Sequence, residues 1–380
     1  MHSIITHVGP QHLPTVLWLQ ECGILDTGCD MLATDHMEKY LEWLHASRRF
    51  GTIFQNRPYF SGLDYKGRMQ RVMRLLEGQN RHYRKKLSYF RFFKPRYSLP
   101  GAADDYDRYV FADPELSPEY LWCYDDQLHG RPVSIAAWEH SVGTYMHAPF
   151  SDDWTRSGGF GLLTDVHRLP FARTRTVESW AFKPEIALIP GPNVIARGIP
   201  PIDRGNAAYT HMVNDLFGVT AADLAEASEC DYILMDVYIG DSPRAEADAI
   251  ERIAGNGRLG VKRHPGTNPD AYAGLRIMKG GDIPWEVYVL GLPDIGDKVL
   301  LTTVSTAVLT PKLRFDDEPY LIFLNRIYGM EFPMAEKIGA LYRAPERIFI
   351  PANIGELEGA VRKIEASRKN GRLGDARNSG

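Results

Sequence analysis

The sequence predicts an α/β protein made of two Rossmann-like domains, each built on a parallel sheet, that face each other across a cleft. Strand-like apolar runs alternate with amphipathic helix patterns, most regularly between residues 231 and 324. Such alternation is typical of parallel sheets that are covered by helices on both faces. The chain has 380 residues, more than one hydrophobic core usually serves. We therefore predict a first domain over 1–180, a second over 181–350, and a C-terminal helix with a polar tail over 351–380.

The first domain opens with a predicted strand, turn and helix. The segment HSIITHVGPQHLPTVLWLQECG places a β-rich run before Gly9 and Pro10, and apolar residues recur at helix spacing after them. This order predicts the first βα unit of a parallel sheet. Residues 35–47 predict a second amphipathic helix. Further along, PVSIAAWE predicts a buried strand that ends at Glu139.

The second domain repeats the alternation more regularly. Strands are predicted in CDYILMDVYIGDS, RLGVKRHPGT, DKVLLTTVSTAVLT and EPYLIFLN. The segment PRAEADAIERIAGNG predicts a helix, because Pro stands near its first turn and Gly at its end. The letters TAVL, after the third of these strands, predict the start of another helix. The apolar run WEVYVLGLP fits either a helix or a strand.

Composition and charge narrow the class of protein. Hydrophobic residues make up 44% of the chain and charged residues 24%, which excludes a mainly disordered or collagen-like chain. The net charge of −4 argues against a nucleic-acid partner. No apolar run approaches the ~20 residues that span a bilayer, so we expect a cytoplasmic protein. The four cysteines contain no C-x-x-C pair and predict reduced thiols rather than disulfides or a zinc site: Cys22, Cys29, Cys123 and Cys230.

Two strand ends in the second domain are suited to an anion. Lys262 and His264 follow the strand in RLGVKRHPGT, and Pro265 then stops it. A histidine there could donate a hydrogen bond to a phosphate, whose charge favours the protonated ring. The alternative is an exposed turn with solvated charges. At the second strand end, Ser305 precedes TAVL and Thr306 begins it, and there a hydroxyl and unpaired N–H groups form either an anion site or an ordinary helix cap.

In the first domain, Glu139 at the end of its strand is a candidate general base for a hydroxyl group. It could instead cap the following turn or pair with an arginine. Asp125 and Asp126, in CYDDQLHG, form a competing acidic pair, for which the alternative is a solvated loop.

Four motifs resemble those of the bacterial sialyltransferase and polysialyltransferase families, which use CMP-activated donors and adopt the two-domain GT-B fold. KRHPGT resembles their His-Pro motif and VSTAVL their Ser-Ser/Thr motif, both at the donor phosphate; IPWEVYVL between them resembles an IPxE segment. WEHSVGTY resembles their acidic motif. This chain has Glu139-His140-Ser141 where the family has two acids and a glycine.

The resemblance implies an inverting, metal-independent transfer of a nonulosonic acid, such as sialic acid, from a CMP-sugar to a hydroxyl of a cell-surface glycan such as capsule or lipooligosaccharide. It needs no cofactor beyond the donor. Glu139 would be the base, and His264 would stabilise the departing phosphate. The remaining donor-side candidates are Lys262, Pro265, Gly240, Ser242, Glu286, Ser305 and Thr306. The acceptor-side candidates are Gly9, Pro10 and Gln11.

Three features keep alternatives open. The altered acidic motif permits another donor, such as a UDP-hexose or CMP-Kdo, or a non-catalytic glycan-binding protein of the same fold. The basic and aromatic segment 81–97, RHYRKKLSYFRFFKPRY, could contact the inner membrane or a polyanionic glycan, or form an ordinary helix with a basic face. Asp104-Asp105-Tyr106-Asp107 only loosely approximates an Asp-x-Asp metal motif, and a solvated loop is the alternative.

Overall fold

The computed structural model describes residues 2–33, 35–55, 106–111, 134–139, 143–146, 176–188, 193–237, 244–255, 257–264, 267, 269–278 and 283–378. The chain divides into two compact units, Met1–Pro200 and Pro201–Gly380. This division falls later in the chain than the predicted boundary at 180, because a strand at Ile195–Gly198 still pairs with the sheet of the first unit. Within the described ranges, no helix combines the length and the apolar character needed to cross a membrane.

The described part of the first unit contains a seven-stranded sheet in the order β3-β2-β1-β4-β5-β6-β7, with every pair parallel. Its inner strands are short, mostly apolar runs, as a sheet covered on both faces requires. The strands are β1 Ser3–Val8, β2 Asp30–Ala33, β3 Ile53–Gln55, β4 Arg108–Phe111, β5 Ser134–Trp138, β6 Thr176–Ala181 and β7 Ile195–Gly198.

The predicted strand-turn-helix opening of this unit is confirmed. β1 leads through a 3₁₀ turn, Pro10–His12, into helix α1, Leu13–Glu21, which is almost entirely buried. The helix predicted over 35–47 is a 3₁₀ segment, Asp35–Tyr40, followed by α2, Leu41–Ser47. A short helix α3, Gly143–Met146, follows β5.

The second unit contains a six-stranded sheet within its described residues, in the order β10-β9-β8-β11-β12-β13, again with every pair parallel. All four segments predicted as strands are confirmed. The strands are β8 Tyr232–Met235, β9 Leu259–Lys262, β10 Arg276–Ile277, β11 Val299–Thr302, β12 Tyr320–Phe323 and β13 Ile348–Phe349. The predicted α/β class, with a parallel sheet in each of two units, is therefore confirmed.

The helices of this unit cover both faces of the sheet. They are α4 Ala207–Phe217, α5 Ala221–Ser228, α6 Arg244–Ala254, α7 Trp285–Gly291, α8 Thr310–Phe315, α9 Met334–Gly339 and α10 Ile354–Asn378. The ambiguous run WEVYVLGLP is thus a helix. The helix predicted from TAVL begins as a 3₁₀ turn, Thr306–Leu309, and continues as α8.

Successive side chains of a strand point to opposite faces of the sheet, so the core of the second unit is divided between the two sides of its sheet. One side packs against α6 and α10, and its buried strand residues include Leu234, Leu259, Val261, Leu301 and Ile322. Gly260 and Lys262 alternate with these residues and therefore lie on the other side.

Gly260 is required by close packing on that other side. A Cβ added at this residue would lie 2.5 Å from the Sγ atom of buried Cys230. We expect Gly260→Ala to lower the free energy of unfolding by about 1–3 kcal/mol, because overpacking forces core atoms apart. Gly359→Ala is the matched control: it lies in α10 with nothing within 4 Å of the added carbon, and alanine favours a helix. Urea titrations of both variants measure the difference, and a neutral Gly260→Ala would contradict it.

Candidate functional site

The carboxyl edge of the second sheet gathers the two predicted anion sites. The strand order changes direction between β8 and β11, and open α/β sheets bind ligands in the crevice outside such a switch point. Ser305 follows β11, and His264 follows β9, which pairs with β8 on its other side. The structure thus places His264 and Ser305 at the ends of the two strands that flank β8.

His264 combines an exposed side chain with a backbone that is held on both sides. Its N–H donates to the Oδ2 atom of Asp236 at 3.0 Å. Its carbonyl oxygen accepts from the N–H of Thr267 at 3.0 Å, which closes a turn. The predicted strand end with a projecting histidine is therefore present, and its contact with a phosphate stays a prediction.

Asp236 was not identified from the sequence, where it stands in the middle of YILMDVYIG. It follows β8, is 7% exposed, and accepts from the phenol of Tyr272 through Oδ1 at 2.7 Å as well as from His264. The partners lie 28 and 36 residues away along the chain. A polar residue directly after a buried strand was the available signal.

Lys262 lies deeper than its predicted phosphate contact suggests. The residue is 9% exposed, and its ammonium group stands 5.5 Å from the centre of the Tyr288 ring on α7. This contact is a cation–π interaction on the sheet side away from α6. Its role toward a phosphate stays a prediction.

Ser305 caps the turn that follows β11, which is the alternative that the sequence left open beside an anion site. Its Oγ accepts from the N–H of Ala307 at 3.3 Å, and its own N–H donates to the Oγ1 of Thr302 at 2.7 Å. The Thr302 hydroxyl in turn donates to the carbonyl oxygen of Met235 at 3.1 Å. These bonds tie the end of β11 to the end of β8. Whether Ser305 and Thr306 also bind a phosphate stays a prediction.

Glu286 stands in the first turn of α7 and is paired inside the unit. Its Oε1 lies 3.5 Å from a guanidinium nitrogen of Arg314 on α8, and both side chains are largely buried. Its predicted contact with the donor stays a prediction.

In the first unit, Glu139 follows β5 directly and is only 1% exposed. Its Oε2 accepts both from the phenol of Tyr145 on α3 and from the N–H of Phe182, the latter at 2.9 Å. Phe182 follows β6, so these bonds link the ends of two neighbouring strands and a helix. Both donors differ from the turn cap and the arginine that the sequence offered as alternatives. A base at this position would have to exchange one of these donors for the hydroxyl of the acceptor substrate.

Gly9, Pro10 and Gln11 form the turn after β1, next to the switch point between β1 and β4. The residue that sequence reasoning missed there is His12, which is 5% exposed. Its Nδ1 accepts from the N–H of Gly9 at 3.1 Å. The ring also meets that of Trp138, the last residue of β5, edge-on with centroids 5.8 Å apart.

Several predicted residues lie outside the described residues. They are the donor-side candidates Pro265, Gly240 and Ser242, the acidic pair Asp125 and Asp126, the first two acids of Asp104-Asp105-Tyr106-Asp107, and the segment 81–97.

Comparison with known proteins gives no family. No protein-family model and no curated protein matches the chain. Among solved structures, the GT-B domain of a sialyltransferase from Photobacterium damselae is 10% identical, with a TM-score of 0.49 over 92% of this chain and 100% of that one. CalG4, the calicheamicin glycosyltransferase, is 11% identical, with a TM-score of 0.49 over 100% of this chain and 98% of that one. A putative UDP-N-acetylglucosamine 2-epimerase from Listeria monocytogenes is 9% identical, with a TM-score of 0.46 over 97% of this chain and 89% of that one.

These likenesses are weak and their names differ in activity. All three TM-scores lie below 0.5, and the three names cover transferases and an epimerase. They therefore assign neither a family nor a reaction to this chain.

Proposed function

We propose that this protein is a glycosyltransferase of the GT-B type that moves a nonulosonic acid from a CMP-sugar to a hydroxyl of a cell-surface glycan, with inversion. The observation that carries the proposal is the carboxyl edge of the second sheet. There, an exposed His264 on a fixed backbone and the capped turn of Ser305 stand at the two strand ends that flank β8. A nucleotide phosphate is the ligand that such a strand edge commonly binds.

In the proposed reaction, the imidazolium of His264 stabilises the charge that develops on the departing phosphate. Ser305, Thr306 and Lys262 would add hydrogen bonds and positive charge at the same phosphate. Cationic and dipolar groups of this kind can replace a metal ion, so the proposal includes none. Glu139 is the proposed base for the acceptor hydroxyl, after release of its bond to Tyr145, because catalytic hydrogen bonds often rearrange when substrate binds.

A second candidate function is a non-catalytic glycan-binding protein with the same fold. The observation in its favour is the burial of Glu139, whose carboxylate already serves Tyr145 and the backbone of Phe182. A carboxylate used in this way supports the fold without taking part in a reaction.

A thermal-shift titration with CMP, UDP and GDP tests the proposal. A ligand that binds only the folded protein at about 100-fold excess over its Kd stabilises it by about 2.7 kcal/mol. We expect CMP to stabilise the wild type selectively and His264→Ala to abolish most of the shift. His211→Ala, at an exposed histidine on α4, is the control and should respond like the wild type.

The other outcomes separate the alternatives. A preference for UDP would retain a glycosyltransferase and reject the CMP-linked donor. A CMP shift that persists in His264→Ala would move the phosphate site away from this strand end. No shift with any nucleotide would reject the transferase and favour the glycan-binding protein.

A further inference from the structure

Three structural elements meet at the carboxylate of Asp236. The residue itself directly follows β8. Its Oδ2 accepts from the backbone N–H of His264 after β9, and its Oδ1 accepts from the phenol of Tyr272. Tyr272 is fully buried at the end of a 3₁₀ turn, Pro269–Tyr272. Each carboxylate oxygen therefore has a donor, and the two donors come from different segments of the chain.

The side chain of Asp236 continues the β8–β9 pairing beyond the last ladder bond. The backbone N–H of Asp236 donates to the carbonyl oxygen of Lys262 at 3.1 Å, just beyond the register pair of Met235 and Lys262. Two residues further on, the N–H of His264 bonds to the Asp236 carboxylate instead of a backbone carbonyl. The backbone of His264, which carries the exposed imidazole, is thereby fixed relative to β8.

We propose that Asp236 is a positioning residue that holds His264 for contact with the donor phosphate. This inference rests on the proposed function of His264 and assigns Asp236 no contact with substrate. Preorganised donors stabilise developing charge because they need not reorganise during the reaction. Removing the carboxylate would leave the His264 backbone free to move and would weaken the phosphate contact without removing the imidazole.

A double-mutant cycle with CMP binding as its readout tests the inference. Calorimetry at a temperature where every variant is folded gives the Kd for wild type, Asp236→Ala, His264→Ala and the double variant. We expect Asp236→Ala to weaken CMP binding about five- to tenfold in the wild-type background and about twofold or less beside His264→Ala, since coupled residues are non-additive. Asp236→Asn should recover most of the affinity, because its amide can accept from the His264 N–H and donate to the Tyr272 oxygen.

Asp231→Ala is the matched structural control. Asp231 precedes the same strand at its amino end and pairs with Arg258 and Arg368, each at 2.5 Å. Its loss should lower thermal stability and leave the Kd for CMP unchanged. Equal effects of Asp236→Ala in both backgrounds, or no effect in either, would overturn the positioning role while leaving the proposed function intact. A wild type that does not bind CMP would overturn both.

Discussion

Glu318→Gln is expected to lower the free energy of unfolding of the second unit by about 3 kcal/mol at pH 7. Glu318 precedes β12, and its side chain is 7% exposed. Its Oε1 lies 2.7 Å from the ammonium nitrogen of Lys312, which is 4% exposed, and it also accepts from the backbone N–H of Arg343 at 2.9 Å. Breaking a buried pair by removing one partner typically costs about 3–5 kcal/mol. Lys312 keeps Asp316 as a second partner at 2.9 Å, so the lower end of that range applies.

The same carboxylate predicts an acid-dependent loss of stability. Burial alone would raise the pKa of Glu318, but the hydrogen bonds from Arg343 and Lys312 prevail and hold it at about 2, against 4.5 for an ordinary glutamate. A lowered pKa means that the stabilisation is complete above pH 4.5 and is lost as the pH falls toward 2. This difference between the two pKa values corresponds to about 3 kcal/mol of stabilisation from the ionised Glu318.

Urea titrations at pH 7 and at steps down to pH 3 measure both the lower free energy of unfolding of Glu318→Gln and the acid-dependent loss of stability. Hydrogen exchange of peptides from the second sheet assigns these changes to the second unit. Glu331→Gln, at an exposed glutamate outside the helices, is the control and should follow the wild-type profile. If Glu318→Gln loses stability between pH 5 and 3 as steeply as the wild type, the acid dependence arises elsewhere.

The sequence was sufficient to predict elements whose hydrophobic periodicity or terminating residues lie within the element itself. Four of the six described strands of the second unit are of this kind; the two-residue strands β10 and β13 were not predicted. The run WEVYVLGLP carried no such signal, because a continuous apolar run fits a buried strand as well as a buried helix. Only the packing around α7 decides between them.

The roles of site residues depended on contacts that are distant along the chain. Glu139 could be identified as a carboxylate at a strand end, but its hydrogen bond from the N–H of Phe182 joins residues 43 positions apart. The role of Asp236 likewise depends on His264 and Tyr272. The position of Lys262 was partly predictable, because the alternation of side chains along a strand places it on the opposite face from Val261. Its contact with the ring of Tyr288 could be seen only in the structure.

Two variants of Glu139 separate support of the fold from catalysis. In Glu139→Ala, the phenol of Tyr145 and the N–H of Phe182 lose their shared acceptor in a buried site. An unpaired buried donor costs about 1–3 kcal/mol, so we expect a loss of about 3 kcal/mol in the free energy of unfolding. In Glu139→Gln, the amide oxygen can replace Oε2 and accept both bonds, so we expect a loss below about 1 kcal/mol. Tyr145→Phe, which removes one donor and keeps the carboxylate, is the matched control.

Glu139→Gln then tests the base directly, because it keeps the hydrogen bonds and removes the proton acceptor. If Glu139 deprotonates the acceptor hydroxyl, this variant folds like the wild type, binds CMP with unchanged Kd, and loses transfer by about 10²–10⁴-fold, the usual contribution of general base catalysis. Because binding of the nucleotide depends on the second unit in our proposal, an unchanged Kd assigns the loss to chemistry. Wild-type transfer by Glu139→Gln would instead make this carboxylate a link between β5, β6 and α3, and the base would have to be another group.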